Sequence, residues 1–205
     1  MKAKLLIAAL LISNFNYSQN IKKDYLVTKS NDIIYCKIIE LNGKHIKFIE
    51  GNGNSSTTKN INNFLEVNIT DSSVIDNPLG ITIEQPEKGF AYVYLYRPYM
   101  YKGSALNCKV EHNGTSLVNL QTDTYYLHKV RANETHVYKW EYSSGGFVEI
   151  EAVDGEIYFI RGAYESVYQP YNSKSMIGDG MKIFLDNPNI AKYLVLTMRK
   201  ESPTY

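Results

Sequence analysis

The sequence predicts a mainly β protein: a small N-terminal SH3-like β module, then an antiparallel β-sandwich with a short C-terminal helix. The first observation is composition, because 18 of the 205 residues are tyrosine, which favours strands. The second is the alternation of aliphatic and tyrosine side chains over residues 89–98, which has the period of a strand. The third is a series of short β-branched and aromatic segments separated by turn-forming residues.

The first 18 residues have the pattern of a signal peptide. Lys2 and Lys4 precede an apolar run at residues 5–12, which is too short to span a bilayer. A polar segment follows and ends at Ser18, after which we expect cleavage, so that Gln19 becomes the new N-terminus. We therefore expect a soluble exported protein, periplasmic or secreted, with no membrane insertion and no lipid anchor.

The charge balance argues against nucleic acid and anionic membranes as partners. The full chain has a net charge of +1, and removal of Lys2 and Lys4 leaves 20 basic against 21 acidic side chains. The sequence has no block of basic residues that would give an electrostatic binding surface.

The two cysteines, Cys36 and Cys108, both lie within predicted strands. They are expected to be buried small apolar side chains or to form a disulfide, which export would permit. Neither lies at a helix start or beside a histidine, so a reactive thiol is not expected.

Residues 19–75 are predicted to form the small β module. Its strands are expected at residues 24–28, 32–41, 44–50, 57–61 and 64–70. Asn42-Gly43 suits a tight turn between the second and third strands. Five short strands in so short a segment are typical of a barrel-like module. Residues 76–88 contain two turn-rich clusters and are predicted to be a linker.

Residues 89–205 are predicted to form the sandwich domain. Strands are expected at residues 90–97, 105–112, 115–120, 124–130, 134–141, 147–153, 156–161, 164–169 and 181–185. Asn113-Gly114 and Asp154-Gly155 each suit a two-residue hairpin turn. A helix is predicted over residues 188–200, because Asn187 and Pro188 form a start signal before an apolar stripe at helical spacing.

Several motifs in the sandwich region resemble a known family. They are G-x-A-x-V-Y-x-Y-R-P, V-E-H-N-G, T-Y-Y, E-T-H and G-E-I-Y-F-I-R, at residues 89–98, 110–114, 124–126, 134–136 and 155–161. Their order resembles an uncharacterised β-sandwich domain family of bacterial exported proteins and lipoproteins, domain of unknown function 2846. Residues 34–48 resemble a short β module of Bacteroidetes-type exported proteins. The resemblance implies an envelope location and β architecture, and no established reaction.

A histidine pair is one candidate site. If residues 131–133 form a three-residue turn between paired strands, His128 faces His136, with Glu134 on the same face. Opposed residues have Cβ atoms ~5 Å apart, so the two imidazoles and the carboxylate could share a metal ion. The pair could instead be structural, hydrogen-bonded beneath neighbouring aromatic rings.

A row of tyrosines is the other candidate. Tyr92, Tyr94 and Tyr96 lie on one face of the strand at residues 90–97. Such a row can stack on sugars or on aromatic side chains of a partner. It can equally be covered by the C-terminal helix or by the neighbouring module.

No pattern predicts an enzyme or a cofactor. Nucleophile and phosphate-binding motifs are absent from the sequence, and Glu149 and Glu151 suit the solvent side of an edge strand. His45 and His112 lie near turns and are expected to be exposed. We therefore predict a non-catalytic binding or structural module of the cell envelope. It would act through a tyrosine-rich sheet face or edge on an envelope protein or glycan. The alternative is a metal- or glycan-binding accessory protein to an envelope enzyme.

Overall fold

A computed structural model describes residues 23–42, 44–77, 79–99, 108–140, 146–165 and 180–203. Strands dominate these residues, with one short α-helix near the C-terminus. The mainly β prediction is therefore confirmed. The predicted signal peptide lies outside the described residues.

The N-terminal strands form one five-stranded antiparallel sheet, which we name the N-terminal sheet. Its strands are β1 (Asp24–Thr28), β2 (Ile33–Asn42), β3 (His45–Glu50), β4 (Ser56–Asn60) and β5 (Phe64–Asn68). They lie in the order β4-β3-β2-β1-β5. A 3-10 turn at Ile61–Asn63 joins β4 to β5, and the Asn60 side chain accepts a hydrogen bond from the Asn62 N–H. Each strand lies within two residues of its predicted bounds.

Two further sheets form the sandwich. The central sheet contains β6 (Phe90–Arg97), β9 (Thr124–Arg131), β12 (Ile157–Glu165), β13 (Gly180–Leu185) and β14 (Arg199–Lys200), in the order β13-β12-β6-β9-β14. The outer sheet contains β7 (Cys108–His112), β8 (Thr115–Leu120), β10 (Thr135–Trp140) and β11 (Phe147–Glu151), in the order β11-β10-β7-β8. Apolar side chains of both sheets form one buried cluster between them. The predicted β-sandwich is thereby confirmed.

The two predicted hairpins have different outcomes. Asn113 and Gly114 have φ of 49° and 79° and join β7 to β8, as predicted. Asp154-Gly155 instead connects β11 in the outer sheet to β12 in the central sheet, so it is not a hairpin turn. After this crossing, β12 pairs with β6 in parallel. The strands predicted at 156–161 and 164–169 form the single strand β12 as far as Glu165.

Strand β6 lies in the middle of the molecule and is buried on both faces. Ala91, Val93 and Leu95 point into the core between the central and outer sheets. Its tyrosines point the other way, into a second core formed with the N-terminal sheet and the C-terminal helix. The two-faced pattern in the sequence therefore corresponds to two interiors.

Helix α1 (Pro188–Val195) covers part of the second core. The Asn187 side chain caps it by accepting a hydrogen bond from the Asn189 N–H, and Pro188 occupies the first turn. The prediction that the helix continues to residue 200 is wrong. The backbone tightens after Val195, and β14 then pairs with β9.

The two cysteines are not bridged. Cys108 is buried between the sandwich sheets, whereas Cys36 packs at the margin of the second core. Burial raises the pKa of the Cys36 thiol to about 11, so this thiol is protonated and unreactive at neutral pH.

Candidate functional site

The predicted tyrosine face is closed. Tyr92, Tyr94 and Tyr96 are 6%, 1% and 0% exposed. The Tyr94 ring stacks on Phe159 with centroids 5.3 Å apart, and its hydroxyl accepts a hydrogen bond of 2.8 Å from the Glu84 N–H. These rings are therefore covered by the linker, α1 and the N-terminal sheet. They offer no surface on which a ligand can stack.

Tyr96 takes part in a half-buried polar contact just before α1. Its hydroxyl donates a hydrogen bond to the Asp186 carboxylate, and the Arg161 Nε lies 3.1 Å from the same carboxylate. Burial, and then the Asp186 charge, hold the pKa of Tyr96 well above its ordinary value. The hydroxyl is therefore a fixed donor that positions the residue before the helix cap.

The predicted metal group does not form. The turn expected at residues 131–133 is a corner at which the chain passes from the central sheet to the outer sheet, with Asn133 at φ 63°. Strands β9 and β10 consequently have different partners, and Glu134 is exposed to solvent. Among the described residues, no three His, Cys, Asp or Glu side chains are arranged to hold a metal ion.

Three histidines nevertheless lie together between the sheets. His128 projects from β9 of the central sheet, while His112 and His136 project from β7 and β10 of the outer sheet. The centroid of the His112 ring lies 4.6 Å from that of His128 and 5.1 Å from that of His136. We name these three residues the histidine cluster.

Hydrogen bonds fix the tautomers of two neutral rings in this cluster. The His136 Nε2 lies 2.9 Å from the Arg131 carbonyl oxygen, so Nε2 carries the proton and Nδ1 carries the lone pair. The His112 Nε2 lies 3.0 Å from that Nδ1 and therefore donates to it. The His128 Nδ1 lies 2.9 Å from the Tyr138 hydroxyl, which links the two sheets directly.

The surroundings of the cluster disfavour positive charge. Burial, and then the neighbouring histidines, lower the pKa of His128 to about 4. Burial and the adjacent His136 also lower the pKa of His112 below its ordinary value. Both rings are therefore neutral at pH 7.

His112 was predicted to be exposed, and that prediction is wrong. Cys108, Val110 and His112 alternate on one face of β7, and this face points into the sandwich. The alternation was present in the sequence and could have placed His112 inside. His45, by contrast, is exposed as predicted.

Three clefts among the described residues have volumes of about 230, 380 and 450 Å³, and the histidine cluster lines none of them. Glu149 and Glu151 lie on the exposed face of β11, as predicted. These carboxylates face solvent at the sheet edge.

Comparisons with protein-family models, with curated proteins and with solved structures find no match for this chain. The resemblance of the sandwich region to an exported domain family stays a prediction. Within the described ranges, no helix combines the length and apolar character required to cross a bilayer. Function therefore has to be inferred from the side chains themselves.

Proposed function

We propose that the chain is an exported, non-catalytic module of the bacterial cell envelope that binds a partner protein through an exposed sheet face. The export signal at residues 1–18 supports the location. The binding role is supported chiefly by one observation: an apolar and aromatic patch on the outer face of the N-terminal sheet.

This patch consists of Tyr25, Val27, Ile33 and Tyr35, which we name the outer patch. Tyr25 lies opposite Tyr35, and Val27 opposite Ile33, in the antiparallel pair β1–β2. Ile33 and Tyr35 are 55% and 60% exposed, which is unusual for large apolar side chains. Neighbouring apolar residues exposed on one sheet face are typical of a surface that binds another protein.

The chemistry of the outer patch favours a protein over a charged polymer. Lys37 continues the same face of β2, and the Tyr25 hydroxyl donates a hydrogen bond of 2.7 Å to Glu66. One cation and one anion beside the patch leave it near neutral, so it would not concentrate nucleic acid or anionic lipid. Exposed tyrosine combines apolar area with a hydrogen-bonding group, as at protein interfaces.

The experiment captures the partner in its native setting. The full chain, tagged at its C-terminus, is expressed in its host, crosslinked in intact envelopes and purified. The double substitution Ile33→Ser and Tyr35→Ser should abolish capture of the partner protein that the unchanged chain captures. The matched control is Phe147→Ser, which removes an apolar side chain 63% exposed on β11 of the outer sheet.

Two results would contradict the proposal. One is equal capture of the same protein by the patch variant and the unchanged chain. The other is recovery of the tagged chain in the cytoplasm with residues 1–18 still attached.

A further inference from the structure

We propose that the histidine cluster is an acid-sensitive contact between the two sheets of the sandwich. It holds the sheets together at the cluster when its rings are neutral, and it lets them separate there when the rings are protonated. This contact requires no binding partner, because it follows from the geometry of the three rings and from the groups that face them.

The cluster connects the central sheet and the outer sheet, whose strands do not pair with each other. His128 belongs to the central sheet, whereas Tyr138, its hydrogen-bond partner at 2.9 Å, belongs to the outer sheet. The His112 ring of the outer sheet also makes a T-shaped contact with the His128 ring. A charge on His128 therefore acts across the boundary between the layers.

Within the described part of the chain, the groups that face the cluster carry no negative charge. From β9 the facing ionisable side chain is Tyr126, and from β10 it is Tyr138. The residue opposite His128 in β6 is the aliphatic Val93. The corner contributes only the Arg131 carbonyl oxygen. Among the described residues, the charges that influence His112 and His128 are those of the other histidines.

Protonation of the cluster consequently introduces like charges without compensation. Two imidazolium rings with centroids 4.6 Å apart would repel each other, and only part of each ring is accessible to water. Full solvation of these charges requires the two sheets to separate at the cluster.

The direction of the pH dependence follows from linkage. His128 has a pKa of about 4 in the folded chain, against 6.5 when it is exposed. Between these values the unfolded chain binds more protons, so stability falls as the pH falls. His128 alone should raise the unfolding equilibrium constant about 20-fold between pH 7 and pH 5. His112 acts in the same direction.

The test compares urea unfolding of the mature chain at pH 7 and pH 5. The unchanged protein should show at least this 20-fold rise, and His128→Gln should remove most of it, because glutamine does not titrate. His45→Gln is the matched control, since His45 is the exposed histidine of the N-terminal sheet, and it should keep the full rise. An equal rise in His128→Gln and in the unchanged protein would overturn the proposal.

A second measurement uses only the unchanged protein, so it does not depend on whether a variant folds. Trp140 is the single tryptophan and is buried in β10, two residues beyond Tyr138. At about pH 3.5, below the pKa of His128 in the folded chain, acrylamide should quench its fluorescence several-fold more strongly than at pH 7, while the strand signal in circular dichroism is retained. Unchanged quenching at about pH 3.5 would also overturn the proposal.

Discussion

At the scale of single residues, one glycine sets the distance between the two sandwich sheets. Gly162 lies within β12, and a Cβ built at this position would lie 1.9 Å from Cζ2 of Trp140. The indole therefore occupies the space that any other side chain would need. Its Nε1 is buried without a hydrogen-bond partner among the described atoms, so close packing has to offset that cost.

We expect Gly162→Ala to destabilise the fold by about 3 kcal/mol, at the upper end of the range for overpacking a core. The obstacle is a rigid ring held between two sheets, which cannot move aside easily. Urea unfolding at pH 7 measures the change in free energy. Gly146→Ala is the control, because a Cβ there meets nothing within 4 Å, and it should change stability by less than about 0.5 kcal/mol. Equal stability of the two variants would contradict this packing.

At the scale of elements, α1 connects the N-terminal sheet to the sandwich. Its cap residue, Asn187, uses both ends of its amide. The Oδ1 accepts from the Asn189 N–H at 2.9 Å, and the Nδ2 donates to the Leu65 carbonyl oxygen of β5 at 2.7 Å. One side chain thus starts the helix and attaches it to the N-terminal sheet.

The two roles of Asn187 can be separated by two substitutions. Asn187→Ala loses both hydrogen bonds and should cost about 2 kcal/mol in the free energy of unfolding. Asn187→Ser keeps an acceptor for the cap and loses the donor to Leu65, so it should cost about 1 kcal/mol. Urea unfolding of both variants beside the unchanged chain tests this order. A serine variant that is as unstable as the alanine variant would show that the cap contributes nothing.

The strands themselves were predictable because their signals are local. The bounds of β6 and β8 agree with the prediction, since alternation defines each strand and glycine, proline or Asn-Gly ends it. The choice of partner strand was not predictable. Residues 131–133 have the length of a hairpin turn, yet β9 and β10 diverge into different sheets. Only the packing of distant strands distinguishes such a corner from a hairpin.

The candidate sites, like the strands, were only partly predictable from the sequence. Two of the three proposed metal ligands, His128 and His136, lie in one cluster, but the third member is His112 rather than Glu134. The sequence predicted a tyrosine face on β6, and it left open what lies against that face. The cover comes from the linker directly before this strand and from segments about 50 residues before and about 100 residues after it, and no local pattern in β6 specifies such contacts.

At the scale of the whole molecule, the central sheet lies between two hydrophobic cores and contributes side chains to both. One core fills the sandwich, and the other joins the tyrosine face to the N-terminal sheet and α1. Residues predicted to belong to two modules thus contribute to one interior, in which Phe48 of β3 and Leu194 of α1 belong to the same cluster as Tyr94. The linker is attached too, because the Asp76 N–H donates to the Leu41 carbonyl oxygen at 2.7 Å. We infer that the outer patch is presented on a single packed body.

Hydroxyl-radical footprinting with peptide mass spectrometry tests this shared interior most directly. It reports side by side on tyrosines that the structure places inside and outside. Tyr35 is 60% exposed and should be oxidised rapidly, whereas Tyr92, Tyr94 and Tyr96 should be strongly protected until the chain is unfolded in urea. Oxidation of these three rings in the folded chain at a rate near that of Tyr35 would show that the tyrosine face is open, and would contradict the account of two halves joined through it.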